Sequence, residues 1–92
     1  MRFSFVLVGL SGMLVTGLAA PSARADGCEE AWYQRNLIYK QAGYCFRTPR
    51  GIRAFGNAGC SYDAVEDVPL SARQRTTVGE LKSYERANGC PQ

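Results

Sequence analysis

The chain contains no histidine. That removes the commonest general base and the commonest transition-metal ligand. Its four cysteines include no Cys-x-x-Cys pair, so a zinc knuckle or a dithiol redox centre lacks its usual spacing. No apolar run long enough to span a membrane follows residue 20. There is no internal repeat, low-complexity tract or linker. A dense basic stripe is also missing, and with it the electrostatic footprint of a nucleic-acid binder.

What is present begins with a short basic start, Met1-Arg2, and an almost unbroken apolar run from Phe3 to Ala20. Ala23-Arg24-Ala25 then offers the small residues of a signal-peptidase site. Residues 1–25 are read as a cleavable export signal, an uncleaved N-terminal anchor being the competing reading. Removing Arg2 and Arg24 from eleven basic residues leaves nine against eight acidic ones, so the mature chain is close to neutral. A chain of about 67 residues, 26–92, makes one domain whose core is small enough to need staples. All four cysteines, Cys28, Cys45, Cys60 and Cys90, follow the cleavage site, as expected for two disulfides in an exported protein.

Caps and periodicity predict an all-α fold of two longer helices, about 28–42 and 71–88, with a short helix, about 49–55, in the connector. Asp26 and Glu29 stand in capping-box spacing, and Gly43 suits the residue after the first helix. Cys28, Ala31, Trp32, Arg35, Ile38, Tyr39 and Ala42 share one face. Thr48, Pro49 and Gly56 bound the short helix, on which Ile52 and Phe55 share a face. Residues 61–69 read as an irregular acidic loop. Ser71 and Gln74 form a second capping box, and Val78, Leu81, Tyr84 and Glu85 share the third helix's inner face. Gly79 in mid-helix costs about 1 kcal/mol relative to alanine.

Three disulfide pairings are arithmetically open. Cys28–Cys45 flanks the first helix and is excluded, because about 1.5 Å of rise per residue separates them by on the order of 20 Å where a disulfide needs about 7 Å or less. The two charges within apolar stripes, Arg35 and Glu85, favour one of the remaining pairings. A lone buried ion is costly, and antiparallel outer helices set Arg35 level with Glu85. That arrangement joins Cys28 to Cys90 and Cys45 to Cys60. Cys28–Cys60 with Cys45–Cys90 remains the alternative.

The segments CEEAWYQRNLIYKQAGYCF, PRGIRAFGNAGCSY and PLSARQR resemble the YARHG domain of exported bacterial proteins, and more closely its small stand-alone four-cysteine members from alphaproteobacteria. The resemblance rests on Arg35-Asn36, Ile38-Tyr39, Gly43-Tyr44, Phe46, Phe55, Tyr62 and Leu70-Ser71, and covers nearly the whole mature chain. It implies a periplasmic or secreted protein with no assigned activity. Longer relatives carry the domain beside peptidase or kinase regions, which implies an accessory or recognition role. The naming motif reads Tyr39-Lys40-Gln41-Ala42-Gly43 here, with Ala42 at the histidine position, so any chemistry of that histidine is lost. Ser61-Tyr62 stands for an expected Trp-Tyr pair, and Gln74 for a glutamate.

No enzyme activity and no cofactor are expected, since paired cysteines and absent histidine leave no nucleophile constellation. Asp63, Glu66 and Asp67 lack the pattern of a calcium loop. Arg47, Arg50 and Arg53 read as a solvated face. The candidate binding or structural network is Trp32, Arg35, Asn36, Tyr39, Tyr44, Tyr62 and Glu85. Arg35 is either the buried partner of Glu85 or an anion receptor among Trp32, Tyr39 and Tyr44, and Asn36 is expected to tie down connector backbone. The aromatics suit a module that binds a cell-wall glycan or an envelope protein. A secreted effector or inhibitor acting on another protein is the alternative. Neither nucleic acid nor a membrane span after signal removal is expected.

Overall fold

The computed structural model of the chain describes residues 27–91. The apolar run and cleavage site at 1–25, and the Asp26 cap, lie outside them. The described residues are helical without a strand. Helix α1 occupies 27–41, α2 is Pro49–Phe55, and α3 is Ala72–Ala87. A single 3-10 turn, Val65–Asp67, lies in the acidic loop.

The ends of these helices follow from local chemistry. Thr48 Oγ1 accepts from the Gly51 amide, and Pro49 occupies the first turn of α2, where its missing N–H costs nothing. Ser71 and Gln74 form a reciprocal capping box, with the Gln74 amide donating to Ser71 Oγ at 3.1 Å and the Ser71 amide donating to Gln74 Oε1 at 2.8 Å. Gly43, after α1, has φ +98°, a conformation in which a side chain is strained.

Two disulfides close the frame. Cys28–Cys90 joins the start of α1 to the residues after α3, and Cys45–Cys60 closes the connector on itself. With Cys28 beside Cys90 and Arg35 bonded to Glu85, α3 runs back along α1 in the antiparallel sense. The connector is pinned further by a single parallel bridge between Tyr44 and Tyr62. There the Cys45 amide donates to the Tyr62 carbonyl at 2.8 Å.

The core is small. Tyr39, Phe46, Val68 and Val78 are buried together, with Ile38, Ala42, Tyr44, Phe55, Tyr62 and Leu70 packed around them. Val68 belongs to the loop read from sequence as irregular. The 3-10 turn before it folds that loop inward and makes it part of the core.

Two facial assignments need correction. The face that Ile52 shares with Phe55 is only partly inward, since Phe55 packs on the core while Ile52 is 45 % exposed. Gly51 is the buried residue of α2, because Phe46 lies so close that a Cβ at 51 would come within 2.8 Å of its ring. That contact turns Ile52 outward. Tyr84 is 40 % exposed rather than internal, and its phenol reaches over Gly27 at the start of α1, where no Cβ obstructs it.

Candidate functional site

The residues of α1 that face the connector form the floor of a cleft of about 220 Å³. Trp32, Arg35 and Asn36 come from α1, Tyr44, Phe46 and Arg47 from the connector, and Thr48 and Gly51 from the start of α2. The helical repeat brings Trp32, Arg35 and Asn36 together, since residues three and four apart are neighbours on a helix surface. Gly51 holds α2 close enough to Phe46 to shape the opposite wall.

Arg35 is anchored from below. Its Nε donates to Glu85 Oε1 at 2.7 Å and its Nη2 to Glu85 Oε2 at 3.0 Å. The Glu85 side chain is 1 % exposed and that of Arg35 15 %. The buried carboxylate thus has a bidentate, charge-assisted partner, the arrangement in which an interior ion is tolerated. The guanidinium keeps Nη1 uncommitted among the described residues, on the group that lines the cleft.

Asn36 is 8 % exposed. Its Nδ2 donates to the Trp32 carbonyl at 2.9 Å, one turn back in the same helix. The amide therefore does not bind the connector, contrary to the expectation from the sequence. Its geometry favours the carbonyl beside it over a segment further away. Its Oδ1 accepts no hydrogen bond from any described residue, although Asn36 lines the cleft.

The connector is held instead by Asn57, which sequence reasoning treated only as a turn residue. Asn57 Oδ1 accepts from the Phe46 amide at 2.6 Å, and its Nδ2 donates to the Phe46 carbonyl at 3.0 Å. One side chain satisfies both polar groups of a buried residue. The only sequence signal was an asparagine ahead of Gly59, which also has positive φ.

The other aromatic candidates are divided by the fold. Tyr44 lines the cleft, with its ring 5.8 Å from Tyr39 and 5.0 Å from Phe46. Tyr39 itself lies in the core rather than in the cleft wall. Burial raises its phenol pKa, the nearby Arg35 charge opposes this, and Tyr44 adds to the rise. Tyr62 packs against Gly43, where a Cβ would come within 3.3 Å of its ring. It is part of the connector staple. The aromatic enclosure expected around Arg35 is therefore Trp32, Tyr44 and Phe46, without Tyr39.

The basic cluster is also divided. Arg50 is not simply solvated: its guanidinium lies 3.8 Å from the Trp32 ring centroid and bonds Glu29 at 2.8 Å. The Glu29 bridge is exposed and contributes little, while the guanidinium also covers the Trp32 ring. Arg47 and Arg53 are exposed, and of these Arg47 lines the cleft.

The cleft therefore presents two cations, an amide oxygen that accepts from no described residue, a threonine hydroxyl and aromatic walls. No carboxylate and no thiol is among its lining residues. Such a set can hold a polar anionic group but offers no obvious base or nucleophile. Among the described residues no group of three or more cysteines or acids converges as a metal site. Among the same residues no helix is long and apolar enough to cross a membrane.

A model of the YARHG domain matches residues 7–86, which takes in α1, α2 and all but the last residue of α3. No curated protein and no solved structure matches the chain.

Proposed function

The chain belongs to the YARHG-domain family, and from that footing we propose that it is an exported, non-catalytic binding module that takes an acidic amino sugar of the cell wall into the cleft between α1 and α2. Residues 1–25 serve as the export signal and 26–92 as the working domain, in the periplasm or outside the cell. Two disulfides and the family fit an oxidising compartment.

The observation that carries this reading is Asn36. A buried amide oxygen without a partner is costly, and native proteins leave few of them. Here it lines a cleft beside the uncommitted edge of Arg35. An N-acylated sugar with a carboxylate answers both: a hydroxyl or amide N–H donates to Asn36 Oδ1, and the carboxylate meets Arg35 and Arg47. Tyr44 and Trp32 supply apolar surface for the ring or the acyl group. The cleft is smaller than the roughly 300–1,000 Å³ of pockets that enclose drug-sized ligands. It suits one sugar of a longer strand.

Titration of the oxidised, isotopically labelled protein with N-acetylmuramic acid tests this. Saturable shifts at Asn36, Tyr44 and Arg47 are expected, with far smaller ones from neutral N-acetylglucosamine. Asn36→Ala should remove the response and leave the fold intact. Equal responses to the two sugars, or none, would contradict the reading.

A further inference from the structure

A second recess, of about 300 Å³, lies between α3 and the acidic loop, with Tyr39 at its base, and shares no lining residue with the cleft. On α3 it is lined by Arg75, Val78, Gly79 and Lys82, and on the loop by Val65 and Glu66 among others. Gly79 sits at its middle. Glycine weakens a helix interior relative to alanine. Nothing among the described residues calls for it: its φ is not positive, and a Cβ built there would meet no atom within 4 Å. The space above it is open.

The rim is mismatched within one molecule. Arg75 and Lys82 stand on the same face of α3, two turns apart with Gly79 between. Glu66 stands on the facing rim, yet it makes no ion pair with either among the described residues. Val65 is 41 % exposed beside a recess it does not fill. An apolar knob, an empty seat, two cations and an anion all lie on one surface.

We propose that this surface is a two-fold interface with a second copy of the chain. A two-fold axis sets each residue pair twice, so a surface that carries both halves of a match is self-complementary. Val65 of each copy seats over Gly79 of the other, where the missing Cβ allows close approach. Glu66 of each copy faces Arg75 and Lys82 of the other. The recess lies on a different wall of the domain from the Asn36 cleft, and the dimer carries two such clefts.

Analytical ultracentrifugation of the oxidised protein, from micromolar to millimolar concentration, tests the proposal. A reversible monomer–dimer equilibrium is expected. Gly79→Leu should raise its dissociation constant about tenfold or more while the circular dichroism spectrum is unchanged, since its Cβ meets nothing and the recess leaves room for the rest of the side chain in the monomer. Glu66→Lys and Lys82→Glu should each weaken the dimer, and the two combined should restore it. A protein that stays monomeric throughout, or a charge swap without recovery, overturns the proposal. So does a monomer in which poly-L-glutamate shifts the Gly79 resonance, which would assign the recess to an acidic partner of another kind.

Discussion

Replacing Arg35 with methionine removes the one counter-charge that the described residues give a carboxylate that is 1 % exposed. Both Glu85 oxygens lose a charge-assisted bond, one of 2.7 Å and one of 3.0 Å. Breaking a buried pair from one side costs about 3–5 kcal/mol. Glu85 belongs at the upper end of that range, because its side chain is almost wholly buried and water reaches it poorly. Glu85→Leu should cost less, about 1–3 kcal/mol. The arginine it strands is 15 % exposed and lines the cleft, where its guanidinium can be rehydrated. The double replacement puts an apolar pair in place of an ion pair, and such exchanges are often neutral or stabilising. Urea unfolding of the four proteins, with disulfides intact, reads the difference as shifts in midpoint at constant slope. For a domain of this size each kcal/mol moves the melting temperature by roughly 4–8 °C. Simple additivity of the two losses would refute the reasoning, since residues bonded to each other must show a coupling term.

Loop entropy predicts unequal disulfides. Closing a separation of 62 residues is worth about 4.3 kcal/mol and one of 15 about 3.0 kcal/mol, so the double serine variant of Cys28 and Cys90 should melt below that of Cys45 and Cys60, and full reduction should unfold the domain near physiological temperature. Asn57→Ala should cost about 2–3 kcal/mol in chemical denaturation, because it strands the amide and carbonyl of buried Phe46. The folded state keeps the Tyr39 phenol protonated above its ordinary value of about 10. The unfolded chain therefore releases this proton first, and stability that is complete below about pH 10 falls as pH rises beyond it. Tyr39→Phe should flatten that alkaline decline in melting temperature.

Much of the frame is legible from local signals, because caps, prolines and glycines act within a few residues of themselves. Thr48, Pro49 and Gly56 mark α2, and Ser71 with Gln74 marks the start of α3. The antiparallel arrangement is legible for a different reason. Arg35 and Glu85 are charges placed in apolar stripes, and only mutual contact makes that affordable; the structure joins them. What escaped the sequence depends on contacts between distant residues. Asn57 and Phe46 lie eleven positions apart and meet only because Cys45–Cys60 folds the connector back. Ile52 points outward because Phe46 crowds Gly51, and no periodicity within seven helical residues reports that. The cleft itself required α2 to be placed over α1. From sequence alone Arg50 therefore reads as solvated, where the fold stacks it on Trp32, and Tyr39 reads as a wall residue, where the fold buries it in the core.

An anionic sugar in the Asn36 cleft must be held by the cations that line it, Arg35 and Arg47. The most direct measurement is calorimetric titration of N-acetylmuramic acid into the oxidised protein and into two charge-reversed variants. Arg47→Glu changes a residue that lines the cleft, and Arg73→Glu changes an exposed residue of α3 outside it. Both alter net charge equally. Arg47→Glu should abolish the binding heat, and Arg73→Glu should leave it nearly unchanged. Equal loss in both variants, or binding that survives Arg47→Glu, would contradict it.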